Sequence, residues 1–475
     1  MAYSEGMRTN GHAAKRRGLL PTGIITTAAL SMALAAAQPS RSWTHFQTVS
    51  RAPAGITARD LNSLHRQTVK LDGTVDSSPI YLAGAEVRGA RHDVFFVTTT
   101  YGKTIAIDAA DGKVLWEYTP RQYSAWAGSY RITNATPLAG PQGKHIYAAA
   151  PDGRIRKLRV ADGGEVWSTA ITRLPEREKI ASALQYSRGH IVAVTAGYIG
   201  DQPPYQGHVA ILDAASGKLL HVWNSLCSNR PGLLTPSACA QTQSAIWGRS
   251  GATIDARNGD IFVATGNGPW DGRDNWGDSV LWLNASATRM RGNYTPANTQ
   301  ELNERDLDLG SSSPVPLGGG LLAQGGKDGY IRLLSLKAMR GTAPHRGGAL
   351  QKAASPGGHM IFGDMTAWRQ GGATWLFAAT NGNTEAWRLT GGRLRSRWQN
   401  AHAGTTPILA GGLLYVYDPH GGLRVLEPQT GRQVARLACG KGHWNSPIVI
   451  AGRIALPTGN ANSHQTSGTL EIWRK

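Results

Sequence analysis

The stretch "TIAIDAADGKVLWEY", residues 104–118, decides the fold. Apolar and polar residues alternate from Thr104 to Asp108, the chain turns at Asp111 and Gly112, and alternation resumes through Val114, Trp116 and Tyr118. Period-two alternation on both sides of an Asp-Gly pair is a β-hairpin pattern, because glycine reaches the positive φ that a tight turn demands. The phrase recurs as "IRKLRVADGGEVWST" from 155, "HVAILDAASGKLLHVW" from 208 and "GLRVLEPQTGRQVARL" from 422, with looser copies starting at 278, 328 and 384.

A second phrase precedes most of these hairpins: "SSPI" at 77, directly after Asp76, "NATPL" at 134, "SSSPV" at 311, "GTTPI" at 404 and "NSPIV" at 445. Small hydroxyl or amide residues ahead of Pro and an apolar residue suit the first position of a strand, where the missing proline N–H breaks no ladder. Hairpin starts at 104, 155, 208, 278, 328, 384 and 422 are 38 to 70 residues apart. A period of that size built from antiparallel hairpins means a propeller. The eighth unit, "GTLEIWRK", ends without a hairpin partner, and "LHRQTVKLDG" from 64 has the same apolar rhythm. Pairing the two closes the ring and hides both edges. The expected fold is all-β, an eight-bladed propeller of four-stranded antiparallel blades. Seven blades is the alternative, since the divergent unit over 225–283 is the one open to a miscount.

Outside this region, "KRRGLLPTGIITTAALSMALAAAQPS" joins a basic cluster to an apolar stretch ending in Ala35, Ala36 and Ala37. That is the pattern of an export signal over 1–37, and Arg16 and Arg17 ahead of Gly18 and Leu19 suit twin-arginine as well as Sec export. Residues 38–60 are then expected to be a linker and 61–475 the propeller, in a periplasmic, cell-wall or secreted setting with no membrane span once the signal is removed. Taking away Arg8, Lys15, Arg16, Arg17 and Glu5 lowers the formal charge of +19 by three, to +16. This excess favours anionic surroundings such as envelope polymers. Arginines scattered without a basic block argue against nucleic acid. Cys227 and Cys239 bracket eleven residues containing a Pro-Gly turn and are expected to pair, stabilising by about 3 kcal/mol in the chain-entropy picture. Cys439 is left as a buried, inert thiol.

The phrases "AIDAADGKVLWEY" and "AILDAASGKLLHVW" resemble the repeats of propellers that bind pyrroloquinoline quinone (PQQ), the quinoprotein alcohol dehydrogenases and their noncatalytic relatives, from about residue 60 onward. The resemblance implies a calcium–quinone site on the propeller axis. Asn267 of "TGNGPW" matches a calcium ligand, Asp308 or Asp306 of "RDLDLGSSSPV" falls where the catalytic base lies, and Lys327 of "QGGKDGYIRLL" matches the cation that touches the quinone. Asp201 stands near the place of a glutamate ligand, Asp306 is a further candidate ligand, and Trp247 lies near the expected stacking tryptophan, with Gly251 in its register. The adjacent cysteines that many members place over the quinone have no counterpart. The loop "GNGPWDGRDNWGD" after Asn267 is rich in Trp and Asp, and Trp270 is expected to line the mouth while Trp276 packs.

Each residue also has a plainer reading: Asn267 as a left-handed turn residue, Asp308 as a turn cap, Lys327 as a solvated lysine beside a hairpin. Two functions follow. One is a PQQ- and calcium-dependent oxidoreductase acting on a small alcohol or sugar; the other is a noncatalytic propeller that binds an envelope polymer or protein partner. The chain is expected to be a monomer in either case.

Overall fold

A computed structural model describes residues 41–475. Among these residues, eight four-stranded antiparallel sheets form the blades of a propeller, with one additional two-stranded ribbon, Glu178–Lys179 with Ala196–Gly197. From the axis outward, blade 1 is Ile80–Val87, Ala90–Thr98, Thr104–Asp108 and Val114–Tyr118. Blades 2 to 7 repeat this order and end on outer strands Glu165–Ala170, Leu219–Asn224, Met290–Tyr294, Gln351–Ala354, Arg393–Asn400 and Gln433–Leu437. The divergent region holds a full blade, Thr253–Ile254 through Met290–Tyr294, which removes the seven-bladed alternative. The proline phrases mark inner strands: Ile80, Leu138, Val315, Ile408 and Ile448 each open one directly after a Pro.

Blade 8 is completed across the termini. His65–Leu71 pairs antiparallel with Gly468–Arg474 over seven registered positions, His65 opposite Arg474 and Leu71 opposite Gly468. Arg66 forks onto both oxygens of Glu471 at 2.6 and 2.7 Å, and Thr68 Oγ donates to the same carboxylate at 2.9 Å. The export-signal region, 1–37, lies outside the described residues.

Neighbouring blades are keyed together by one repeated contact. Trp116 on the outer strand of blade 1 lies against Gly163 in the last hairpin of blade 2, and its indole N–H donates to Val160 O at 2.8 Å. Trp167 meets Gly217 and donates to Ala215 O at 3.1 Å, and Trp398 meets Gly431 and donates to Pro428 O at 2.9 Å. Glycine is required here twice over, since Gly163 has φ +75° and a Cβ on it would lie 2.6 Å from the indole. The sequence hairpins therefore serve as sockets as well as turns.

Residues 43–54, within the segment expected to be a linker, run along the inner edges of the ring. Trp43 exchanges two backbone hydrogen bonds with Tyr81 of blade 1, and Ala139 N of blade 2 donates to Thr44 O. Farther along, Leu409 N of blade 7 donates to Thr48 O, Ser50 N donates to Leu409 O, and Gly452 N of blade 8 donates to Ala54 O. Trp43, Phe46, Ala54 and Ile56 are buried. The segment thus crosses the bore and satisfies edge groups that inner strands would otherwise leave unpaired.

Gly163→Ala combines left-handed strain with a clash, so it is expected to lower unfolding stability by about 2–4 kcal/mol in a denaturant titration. Gly189→Ala, at φ +86° but with open space around it, loses only the conformational part.

Candidate functional site

Loops between second and third strands, and the segments joining blades, all emerge on one face of the ring. Close to the axis on that face they enclose a cavity of about 270 Å³, lined in part by Asp201, Trp247, Arg249, Asp306, Asp308 and Lys327. Lys179, Phe362, His443 and Trp444 complete much of its wall.

The centre of its acidic side is built from two pieces of backbone pressed together. Thr265-Gly266-Asn267 follows the strand Ile261–Ala264 of blade 4, and Asp308-Leu309-Gly310 lies in the connection to blade 5. A Cβ on Gly266 would sit 2.3 Å from Asp308 Oδ1, and one on Gly310 would sit 2.4 Å from the Thr265 carbonyl carbon. With glycine at both points, Asn267 N donates to Asp308 Oδ1 at 2.6 Å. Asp278 knits the two pieces: its N–H donates to Gly266 O, and its Oδ1 accepts Leu309 N–H at 2.9 Å.

Lys327, from the blade 5 loop between Leu321–Gly325 and Tyr330–Ser335, reaches across to Asp308 Oδ2 at 2.6 Å and Asp306 Oδ1 at 2.9 Å. Burial works to lower the lysine, but the two carboxylates outweigh it and hold it above its ordinary range. Asp308 is only 2% exposed, and burial raises it despite Lys327 and the Asn267 amide, so it is a stronger base than a solvated aspartate. Asp201 is also raised by burial, against the opposing hydrogen bond from Tyr205 Oη at 3.0 Å. Asn267 Oδ1 is buried and accepts no hydrogen bond.

These positions bear on the plainer readings. Asn267 has no left-handed φ, Asp308 makes no side-chain cap, and the Lys327 side chain is 17% exposed and doubly paired. Asp201, Trp247, Asp306, Asp308 and Lys327 all line one cavity, with Asn267 bonded directly to Asp308. Trp270 does not join the cavity-lining residues. It pairs with Trp276 in an isolated bridge, carries the Arg346 guanidinium 5.4 Å from its ring, and packs partly buried between blades. The loop's aspartates are structural: Asp271 Oδ1 accepts three successive N–H groups, Arg273 to Asn275, and Asp274 ties to Ser228 and Asn229 beside the Cys227–Cys239 disulfide. Trp276 is buried, as expected. Cys439 is half-buried with its thiol pushed up to about 11 by burial, which keeps it protonated and unreactive.

The other wall has no counterpart among the residues singled out from the sequence. Asp76, Lys179, Arg249, Asp364, His443 and Trp444 stand in the blade connections, and the proline phrase at 77 already pointed to such residues, since Asp76 directly before it lies at the axis. Asp76 Oδ2 accepts from His443 Nδ1 at 2.9 Å and Asn134 Nδ2 at 3.0 Å. Burial would raise Asp76, but His443 and the N–H groups of Ala461 and Trp444 hold it below its usual range.

A propeller carrying acids and a lysine at its axial mouth defines a class, and comparison with known proteins narrows it. Residues 33–268 match the family described as outer membrane protein assembly factor BamB. The chain is 25% identical over 282 residues to a quinohemoprotein alcohol dehydrogenase, ADH IIB, of Pseudomonas putida, covering 53% of this chain and 40% of that protein. It thus spans well under half the length of that relative. The crystal structure of quinohemoprotein alcohol dehydrogenase from Comamonas testosteroni superposes with a TM-score of 0.69 at 16% identity, covering 93% of this chain and 81% of that one. A europium-containing methanol dehydrogenase superposes with a TM-score of 0.67 at 13% identity over 92% and 99%. The chain carries the PQQ-type propeller repeat and is similar to the quinoprotein alcohol dehydrogenase-like superfamily.

Lys327→Met leaves Asp308 buried without its cation. Unfolding stability is expected to fall by about 3–5 kcal/mol, and adding Asp308→Asn is expected to restore much of it in a double-mutant cycle.

Proposed function

We propose that this chain is an exported quinoprotein-type oxidoreductase that oxidises an alcohol or sugar in the axial cavity. The observation that carries the reading is the meeting of Asn267, Asp308 and Lys327, from three separate segments, at one buried point. The donor set suits a hard cation: an orphaned amide oxygen at Asn267, the Asp308 carboxylate, and Asp201 and Asp306 in the same cavity. Among the described residues no cluster of three His, Cys, Asp or Glu forms a metal site, so calcium would depend on the Asn267 amide. PQQ would lie against Trp247 with Lys327 at its polar edge. When bound, calcium and the quinone supply Lewis-acid polarisation and the electron sink for alcohol oxidation.

The protein's own contribution is positional and basic. Asp308 accepts the substrate hydroxyl proton, and its burial matches it to that task. Lys327 holds Asp308 in orientation and keeps positive charge at the reacting edge. Asp306, exposed and on the far side of Lys327, is the second candidate base. The 1–37 signal reading, the basic excess and the Cys227–Cys239 disulfide support export by the Sec or twin-arginine route to an extracytoplasmic site. Among the described residues no helix is long and apolar enough to cross a membrane. The family description matched over 33–268 favours a second reading, a noncatalytic propeller that binds an envelope polymer or protein partner.

Adding PQQ and calcium chloride to the purified chain is expected to shift the quinone absorbance and to support dye reduction with at least one of a panel of alcohols and sugars. Asn267→Ala is expected to abolish the calcium dependence, and Asp308→Asn to lower kcat by about 10²–10⁴-fold. No absorbance shift and no dye reduction would leave the noncatalytic reading. Because Asp308 works ionised and burial raises it, activity is expected to fall with decreasing pH through a limb above the ordinary aspartate range of about 4. Lys327→Met, by removing a neighbouring charge that lowers Asp308, moves that limb to still higher pH.

A further inference from the structure

Across the cavity from Asp308, two cations are held without an anion. Lys179, 7% exposed, sits on the ribbon strand that leads into blade 3, and among the described residues it makes no side-chain hydrogen bond and no ion pair within 4 Å. Arg249 lies in the connection into blade 4. Its guanidinium stacks on Trp444 at 5.2 Å and donates from Nη2 to Trp247 O at 2.6 Å, while Nε and Nη1 are buried with no partner.

The nearest buried carboxylates are committed elsewhere. Asp76 is filled by His443, Asn134 and the N–H groups of Trp444 and Ala461. Asp364 is filled by the N–H groups of Arg249, Ser250 and Ser313 and by Ser250 Oγ. On the opposite wall, Asp306 and Asp308 are paired with Lys327, and Asp201 accepts from Tyr205. Burial, with Arg249 nearby, pulls Lys179 down to about 7, as it does for an ammonium kept from both water and a counter-ion. A guanidinium with two free N–H positions beside an unpaired ammonium matches the planar, two-oxygen geometry of a carboxylate.

We propose that Lys179 and Arg249 clamp a carboxylate of the molecule that occupies the axial cavity. Two sources share this chemistry: a hydroxy-acid substrate whose hydroxyl reaches Asp308, or an acidic quinone cofactor. The clamp goes beyond the quinone reading and stands without it.

Titration calorimetry on the purified chain tests the clamp. The probes are gluconate and glycolate against their neutral counterparts glucitol and ethylene glycol, and PQQ against its trimethyl ester. At least one acid is expected to bind about tenfold or more tighter than its neutral counterpart, and Lys179→Met and Arg249→Met are each expected to erase that difference. Lys179→Met removes an unpaired buried charge, so its melting temperature is expected to hold or rise, whereas a purely structural lysine would lower it. Binding of gluconate or glycolate without PQQ assigns the clamp to substrate and sinks the quinone reading alone; binding of PQQ alone assigns the clamp to the cofactor. If no acid outbinds its neutral counterpart, or if both variants bind acid like the parent, the clamp is overturned. Should either variant fail to fold, the acid-against-neutral comparison on the parent chain decides.

Discussion

The docking of an outer-strand indole on a left-handed hairpin glycine of the next blade is the contact on which the rest of the molecule depends. It fixes the spacing between sheets by direct contact, because Trp116, Trp167 and Trp398 each lie where a Cβ on the facing glycine could not fit. It fixes orientation as well, since each indole N–H must reach one hairpin carbonyl. At the seam between blades 8 and 1 the same job is done with different chemistry. Val69 and Gln67 press on Gly112, and Gln67 Nε2 donates to Asp111 O at 2.6 Å. Only with the sheets keyed in this way do loops far apart in the chain converge on one axial point.

At that point the two walls of the cavity solve burial in opposite ways. Asp306, Asp308 and Lys327 neutralise one another within a single cluster, so that wall is stable as it stands and its acid is tuned rather than forced. Lys179 and Arg249 receive no such compensation, and the carboxylates around them are consumed by backbone N–H groups. A buried charge left unpaired costs stability, whereas a satisfied one costs little. The polarity across the cavity therefore orients any occupant, with its acidic group toward blades 3 and 4 and its hydroxyl toward blade 5.

The blade count was legible because each blade repeats two short phrases whose physics is local: a turn glycine and a strand-opening proline. The convergence of Asn267, Asp308 and Lys327 was legible only through resemblance, since nothing in their spacing encodes proximity. Trp270 misled because tryptophan serves cavities and blade seams alike, and only the positions of Arg346 and Trp276 assign it to packing. Asp278 and the glycines at 266 and 310 escaped notice because their role is to let two backbones touch, a long-range condition. Lys179 and Arg249 escaped for another reason: a buried cation and a surface cation look the same in a sequence, and this chain has many of the latter.

The strand of chain from Trp43 to Ala54 that hydrogen-bonds across the inner edges of blades 1, 2, 7 and 8 has a kinetic meaning. It makes the chamber a cul-de-sac, so reactant and product must share a single doorway. Turnover then requires departure before the next arrival, and a threaded polymer could offer this protein only its end or an exposed side group.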